Sequence, residues 1–183
     1  MSDYFYEKSK FYYEKYKAGK LTRKVGAIIK DGDKYLTLIK DGKKAMFSGG
    51  SVDDGETTRQ AVIREVLEEC GAKVTKLKYL HRDYYSVDWE FEGVTFPNKR
   101  VSYIYLCEVE KEDLRAKGLD GEFDNNMSLK WCTLKELEDL KLYKVDLELI
   151  KKIERENIEI WCYENKKSPI ILGDLISLKL RVS

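Results

Sequence analysis

The chain has one histidine, His81, in 183 residues. A histidine-built zinc site and a Ser–His or Cys–His nucleophile pair are thereby poorly supplied. Its four cysteines, Cys70, Cys107, Cys132 and Cys162, stand far apart with no C-x-x-C pair. They read as reduced, mostly buried thiols of a cytosolic protein, not as a disulfide or metal framework. Net charge is lacking too: 34 Lys and Arg against 33 Asp and Glu leave +1. Long-range steering toward nucleic acid therefore has no basis, and a nucleic-acid partner is not expected. No apolar run is long enough to cross a membrane, and the polar start Met1-Ser2-Asp3-Tyr4 does not read as a signal peptide. A cytoplasmic location without a membrane partner is the expectation. Internal repeats, low-complexity linkers and clear domain boundaries are missing as well. At this length a single domain over 1–183 is expected.

What is present is charge of both signs, 37% of the residues, and one stretch where carboxylates gather. Gly50-Ser-Val-Asp-Asp-Gly-Glu56 precedes Thr57-Thr-Arg-Gln60, a capping-box start to a helix that Gly71 would close in the left-handed conformation. Asp53-Asp54-Gly55 supplies the turn before it. At about 100° per residue, Ile63, Val66, Leu67 and Cys70 form an apolar stripe. Glu65, Glu68 and Glu69 then fall on the opposite face, with small Ala61 among them. Like charges so spaced repel. Either they form an ordinary solvated acidic face, or their oxygens hold a hard divalent cation that relieves the repulsion. Gly49-Gly50 permits a close backbone approach to a ligand, and Glu56 and Arg64 are placed to pair.

The pattern Gly50-x5-Glu56-x7-Arg64-Glu65-Val66-x-Glu68-Glu69-x-Gly71-Ala72 resembles the Nudix box. Seven fixed residue types at fixed spacing have a chance expectation on the order of one in a million. Two departures are mild: Ala72 stands where a larger aliphatic is usual, and Ser48 where proline often precedes the glycines. Neither removes a carboxylate. The resemblance covers about 22–155, leaving 1–21 as an N-terminal helical extension and 156–183 as a C-terminal extension.

The rest of the chain reads as α/β (α+β). Residues 3–18 carry Phe5, Tyr12 and Tyr16 at helical spacing, ending near Gly19. Aromatics interleaved with lysines can bind single strands, but packing on the domain or on a second subunit is the simpler reading. Lys24 to Lys30 and Lys34 to Lys40 form a hairpin about Asp31-Gly32-Asp33. Lys73 to Asp88 is a strand, and Ser86 to Phe96 alternates, with Trp89 and Phe91 on one face. Gly93 marks a bend and Pro97-Asn98 a turn. Arg100 to Glu110 is apolar on both sides and therefore central. Glu112 to Asn126 is a loop, Ser128 to Thr133 a strand, and Leu134 to Leu137 opens a helix. Val145, Leu149, Ile150 and Ile153 mark a helix that covers the sheet's other side. Ile158 to Tyr163 and Ile170 to Val182 read as β-rich runs.

The resemblance implies an α/β/α sandwich around a mixed sheet. It also implies Mg²⁺-dependent (or Mn²⁺-dependent) hydrolysis of a pyrophosphate bond in a nucleoside diphosphate linked to another group. It implies Glu68 and Glu69 as metal ligands with the Gly49 carbonyl, and Glu56 as a further ligand in some metal states. Glu65 is implied as base or third ligand, and Arg64 as support for Glu65 or Glu56. Gly50 and Lys40 would meet the substrate phosphates; Lys40 otherwise belongs with Lys43 and Lys44 to a solvated cluster. A further acid from the loop before the last core strand is implied as ligand or base, with Glu122 first and Asp124 and Asp120 behind it. Tyr84, Tyr85, Trp89 and Phe96 are stacking candidates for a base, at least two of them expected in the core. The substrate class is a nucleoside triphosphate or a small nucleotide conjugate. A non-catalytic module that binds a nucleotide or a protein is the alternative. A homodimer is the commoner outcome for a small enzyme.

Overall fold

The computed structural model describes residues 3–110, 114–115 and 127–160. Helix α1 (Asp3–Lys17) precedes β1 (Thr22–Asp31), β2 (Lys34–Lys40) and β3 (Lys44–Met46). Helix α2 (Thr58–Cys70) follows, then β4 (Val74–Phe91), β5 (Val94–Val109) and β6 (Met127–Thr133), and last α3 (Leu134–Asp139) and α4 (Lys144–Arg155). The strands make one mixed sheet in the order β3-β2-β1-β5-β4, with β6 also paired to β2. β1 runs parallel to β5, with Val25 opposite Tyr103 and Ile29 opposite Cys107. The remaining ladders are antiparallel. β5, held between β1 and β4, is central, as its two apolar sides require.

Strand alternation sends β1 side chains to two cores. Val25, Ala27 and Ile29 join Tyr105, Cys107 and the α2 residues Val62 and Val66. Ile28 and Leu106 join Leu137 of α3 and Ile150 and Ile153 of α4 on the other face. Ile150 and Ile153 are fully buried, worth roughly 1.5–3 kcal/mol each. The sheet is thus covered by helices on both faces. Val145, expected on the buried stripe of α4, is instead exposed at 62%; it lies in the helix's first turn, outside the contact with the sheet.

The β1–β2 hairpin turns at Gly32, whose φ is 58°. The long β4–β5 hairpin turns at Glu92-Gly93, both with positive φ (49° and 77°), the twist-matched two-residue loop. The expected turn at Pro97-Asn98 is absent: both lie within β5, Pro97 opposite Asp88 and Asn98 opposite Val87. Pairing with β1 begins only at Arg100. At Pro97 the strand has β4 alone for a neighbour, so a missing N–H is tolerated there.

Helix α1 packs on this far part of the hairpin. Tyr12 is 1% exposed and meets the Trp89 ring edge-on at 4.9 Å, and Tyr13 and Tyr16 lie against Phe91 and Phe96. Trp89 and Phe96 therefore belong to a third core, while Tyr84 and Tyr85 stay exposed. Phe5, expected on the same stripe, is 54% exposed. Ile158 to Ile160 are in no strand. The rest of the expected C-terminal β-rich runs lies outside the described residues.

Candidate functional site

Helix α2 starts as its sequence dictates. The Thr57 hydroxyl accepts from the Gln60 N–H, and the Gln60 side chain accepts from the Thr57 N–H, closing a capping box. Glu56 N–H to the Asp53 carbonyl (3.1 Å) and Gly55 at φ 86° make the preceding turn. Gly71 ends the helix at φ 65°.

The helix is rotated relative to the expected stripe. Ile63 (39% exposed) and Leu67 (50%) face out, and the buried side is Ala61, Val62, Val66 and Cys70 together with Glu65 and Glu69. The carboxylates do not lie on one solvated face. Glu65 and Glu69 are 9% and 3% exposed, and of the three only Glu68 reaches solvent, with half its side chain exposed. The reason is the glycine loop. Residues 48–52 run beside β1, Val25 N–H donating to the Gly50 carbonyl and Ala27 N–H to the Ser48 carbonyl. A β-carbon on Gly50 would collide with the Glu65 carboxylate, and one on Gly49 with the Val25 backbone. Gly50 thus leaves the room into which Glu65 turns, and Gly49 lets the loop lie against the β1 backbone while its N–H faces Glu69. The Gly49 N–H donates to Glu69 Oε2 at 2.8 Å.

Arg64 gathers the other acids. Its Nε and Nη2 grip Glu56 in a fork (3.0 and 2.9 Å), its Nη1 reaches Glu65 (2.9 Å) and Glu68 (3.1 Å), and its Nη2 also donates to the Ser51 carbonyl. The Arg64 fork holds the Glu56 carboxyl below its ordinary pKa. Glu65 is different: burial pushes its carboxyl up, only partly opposed by Arg64 and Lys24. A carboxylate held above its usual range is a better proton acceptor near neutral pH.

The expected residues are thus partly assembled. Glu56, Arg64, Glu65, Glu68 and Glu69 come together with Gly49 and Gly50. Lys40 ends β2 opposite Lys44 and Met127. Glu122, Asp124 and Asp120 lie outside the described residues. The donor set is carboxylate oxygens beside a backbone loop, the chemistry that suits Mg²⁺ or Mn²⁺. Among the described residues no three acidic side chains converge on one point, and Arg64 supplies the counter-charge that a cation would otherwise bring.

Sequence reasoning passed over Lys24. Its Nζ donates to Ser51 Oγ at 3.2 Å, bringing a cation to the glycine loop. Burial, with Lys8 and Arg100 nearby, lowers its pKa, while Tyr12 and Glu65 pull it back up. Burial raises the Tyr12 phenol, but Lys24, the Ser51 hydroxyl, Lys8 and Arg100 outweigh it and bring the pKa below its ordinary value. A lysine between Arg23 and a buried valine, at the start of a strand, gives no signal in sequence that sets it apart from an ordinary edge charge.

The NUDIX domain family model matches residues 20–153. A Bacillus subtilis protein named as a candidate 8-oxo-dGTP diphosphatase, YtkD, is 34% identical over 92 residues, 50% of this chain and 53% of that protein. The chain therefore spans about half the length of this curated relative. A NUDIX hydrolase from Nitrosomonas europaea superposes with a TM-score of 0.57 at 21% identity, over 75% of this chain and 90% of its own. The Bacillus subtilis pyrophosphohydrolase BsRppH gives a TM-score of 0.50 at 25% identity, over 74% and 82%. No helix among the described residues is long and apolar enough to cross a membrane.

Proposed function

The chain belongs to the Nudix family, and from that premise we propose that it hydrolyses a pyrophosphate bond in a nucleoside triphosphate or a small nucleotide conjugate, with Mg²⁺ as the metal. The observation that carries this reading is the buried pair Glu65 and Glu69, Glu65 turned from α2 into the space left by Gly50 and Glu69 held by the Gly49 N–H, with Glu68 beside them at the solvent edge. Burying two carboxylates against backbone costs desolvation, which Arg64 offsets at Glu65 and the Gly49 N–H at Glu69, and which a divalent cation would offset further.

Glu68 and Glu69 would hold the metal with the Gly49 carbonyl, and Glu56 is the reserve ligand. When bound, Mg²⁺ offsets the polyphosphate charge and lowers the pKa of a coordinated water. Glu65, its carboxyl raised by burial, accepts a proton on a carboxylate oxygen from the attacking water. Arg64 keeps Glu65 and Glu56 in place by its fork and has a positioning role. Glu122 is the second candidate for the base. YtkD's name supports a nucleoside triphosphate as the substrate class.

The test is a panel of nucleoside triphosphates and nucleotide conjugates, with and without Mg²⁺, read by phosphate release after phosphatase or pyrophosphatase treatment. Metal-dependent turnover of one class is expected. Tight binding of a compound with no turnover of any would overturn the reading in favour of a binding module.

A further inference from the structure

Two cations meet on the face of the sheet where α1 packs. Lys24 on β1 reaches Ser51 of the glycine loop. Arg100 on β5 lies opposite Thr22 of β1. Its guanidinium stacks over the rings of Tyr12 (5.0 Å) and Trp89 (5.4 Å). Its Nε and Nη2 donate to the Asn98 side-chain oxygen (3.0 and 2.9 Å), in the amide orientation that also lets Asn98 donate to Thr22 Oγ1. Asn98 and Thr22 are both buried. Arg100 is therefore fixed by two rings and one amide, not swinging in solvent.

Neither Lys24 nor Arg100 is paired with a carboxylate in any salt bridge among the described residues. Both are half-buried, and desolvating Lys24 within the field of Arg100 costs free energy. The elements around them add little negative charge. Glu65 is the carboxylate whose field Lys24 feels, and it is already engaged by Arg64. Two hydroxyls flank them: the phenol of Tyr12, a residue 1% exposed, and the Ser51 Oγ that accepts from Lys24. Two fixed cations with two hydroxyls make a recognition site for a phosphate-like oxyanion.

The position of that set ties it to the box. Ser51 follows directly on Gly49-Gly50, and α1 is clamped to the same loop a second time by Lys15 Nζ on Asp54 (2.7 Å). The family match begins at residue 20, so α1 lies outside it. We propose that Lys24, Arg100 and Tyr12 form a phosphate-binding subsite that receives a non-scissile phosphate of the substrate, with α1 as an added wall of the active site. This rests on the reading of the box as a polyphosphate-hydrolysing centre and assigns α1 a part in it.

The subsite can be tested without turnover. Inorganic tripolyphosphate is titrated calorimetrically into the full chain in metal-free buffer at low salt, and the same is done for Lys24→Gln, Lys24→Arg and Tyr12→Phe. Lys24→Gln is expected to weaken binding by roughly tenfold to a hundredfold, the scale of one charge-assisted hydrogen bond. Lys24→Arg should restore most of it, and Tyr12→Phe should cost less, about twofold to tenfold. A thermal melt of each variant checks folding; Lys24→Arg and Tyr12→Phe keep the test decisive should Lys24→Gln fail to fold. Unchanged tripolyphosphate binding in folded Lys24→Gln would overturn the subsite and leave Lys24 as a counter-charge to Glu65. Absence of any Mg²⁺-dependent hydrolysis alongside Lys24-dependent binding would instead remove the enzymatic reading and keep the subsite.

Discussion

Glu69 Oε2 accepts a 2.8 Å hydrogen bond from the backbone N–H of Gly49, twenty residues earlier in the chain. That one bond fixes how α2 sits on the glycine loop. It also places a buried carboxylate beside the carbonyl proposed to share a metal with it.

Substituting Glu69 separates the two roles. A glutamine keeps an oxygen for the Gly49 N–H, so Glu69→Gln should remain folded, with a melting temperature within a few degrees of the parent. Glu68→Gln, at a half-exposed side chain, should change stability still less. Both should lower metal-dependent turnover at least about a hundredfold, the scale of one lost electrostatic group in a reacting site. Steady-state rates at saturating Mg²⁺ check this; a rate near the parent's from either variant would remove that residue from the metal set.

The two glycines should respond differently to alanine. At Gly50 the new methyl meets the end of the Glu65 side chain, which can swing aside; at Gly49 it meets the Val25 backbone, which cannot. Gly49→Ala is expected to cost about 1–3 kcal/mol or more by overpacking. Gly50→Ala should cost less stability and still lose activity, because Glu65 is displaced. Urea denaturation read beside turnover distinguishes them, and equal stability losses would contradict the placement of Glu65 against Gly50.

Local signals in the sequence carried far. The capping box at Thr57, the stop at Gly71 and the central character of β5 are set by neighbours close in sequence or by plain alternation, and the structure has them. The rotation of α2 was not legible, since hydrophobicity put Ile63 and Leu67 inward. What decides it is tertiary: space at Gly50 admits Glu65, the Gly49 N–H holds Glu69, and a helix cannot bury both sides equally. Pro97 misled for a similar reason, because a turn residue is harmless where a strand has one neighbour. Lys24 and Arg100 come onto neighbouring strands from 76 residues apart, and no periodicity reports it.

Asp146 offers a pH test away from the site. Burial alone raises its carboxyl to about 6 from an ordinary value of 3.8. The folded state therefore holds a proton that the unfolded state releases between about pH 4 and 6. By linkage, stability falls as pH rises through that window and stays lower above it. The N-terminal end of α4 favours the ionised form and offsets part of the cost, leaving about 1–2 kcal/mol. Asp146→Asn should thus stabilise the protein at pH 8 and be nearly neutral at pH 4. Urea melts at the two pH values measure this, and an equal effect at both would mean that the Asp146 carboxyl is not desolvated in the folded protein.

Arg64 tests whether the carboxylates await a cation. It is the counter-charge for Glu56 and Glu65, whose side chains are 14% and 11% exposed, and for Glu68. Arg64→Gln removes the fork and leaves buried carboxylates facing one another. Breaking a fully buried pair costs about 3–5 kcal/mol; Arg64 keeps some solvent contact, so about 2–4 kcal/mol is expected here. A structural ion-pair cluster would stay damaged whatever the buffer. A metal site would not, because the vacated charge is the charge a divalent ion supplies, and binding to the folded state alone raises stability as the ion concentration exceeds its dissociation constant. Thermal melts across a MgCl₂ series, with NaCl matched for ionic strength, should therefore show a larger Mg²⁺-induced rise for Arg64→Gln than for the parent. A variant that melts early and ignores Mg²⁺ would show that these glutamates are arranged for the arginine and not for a metal.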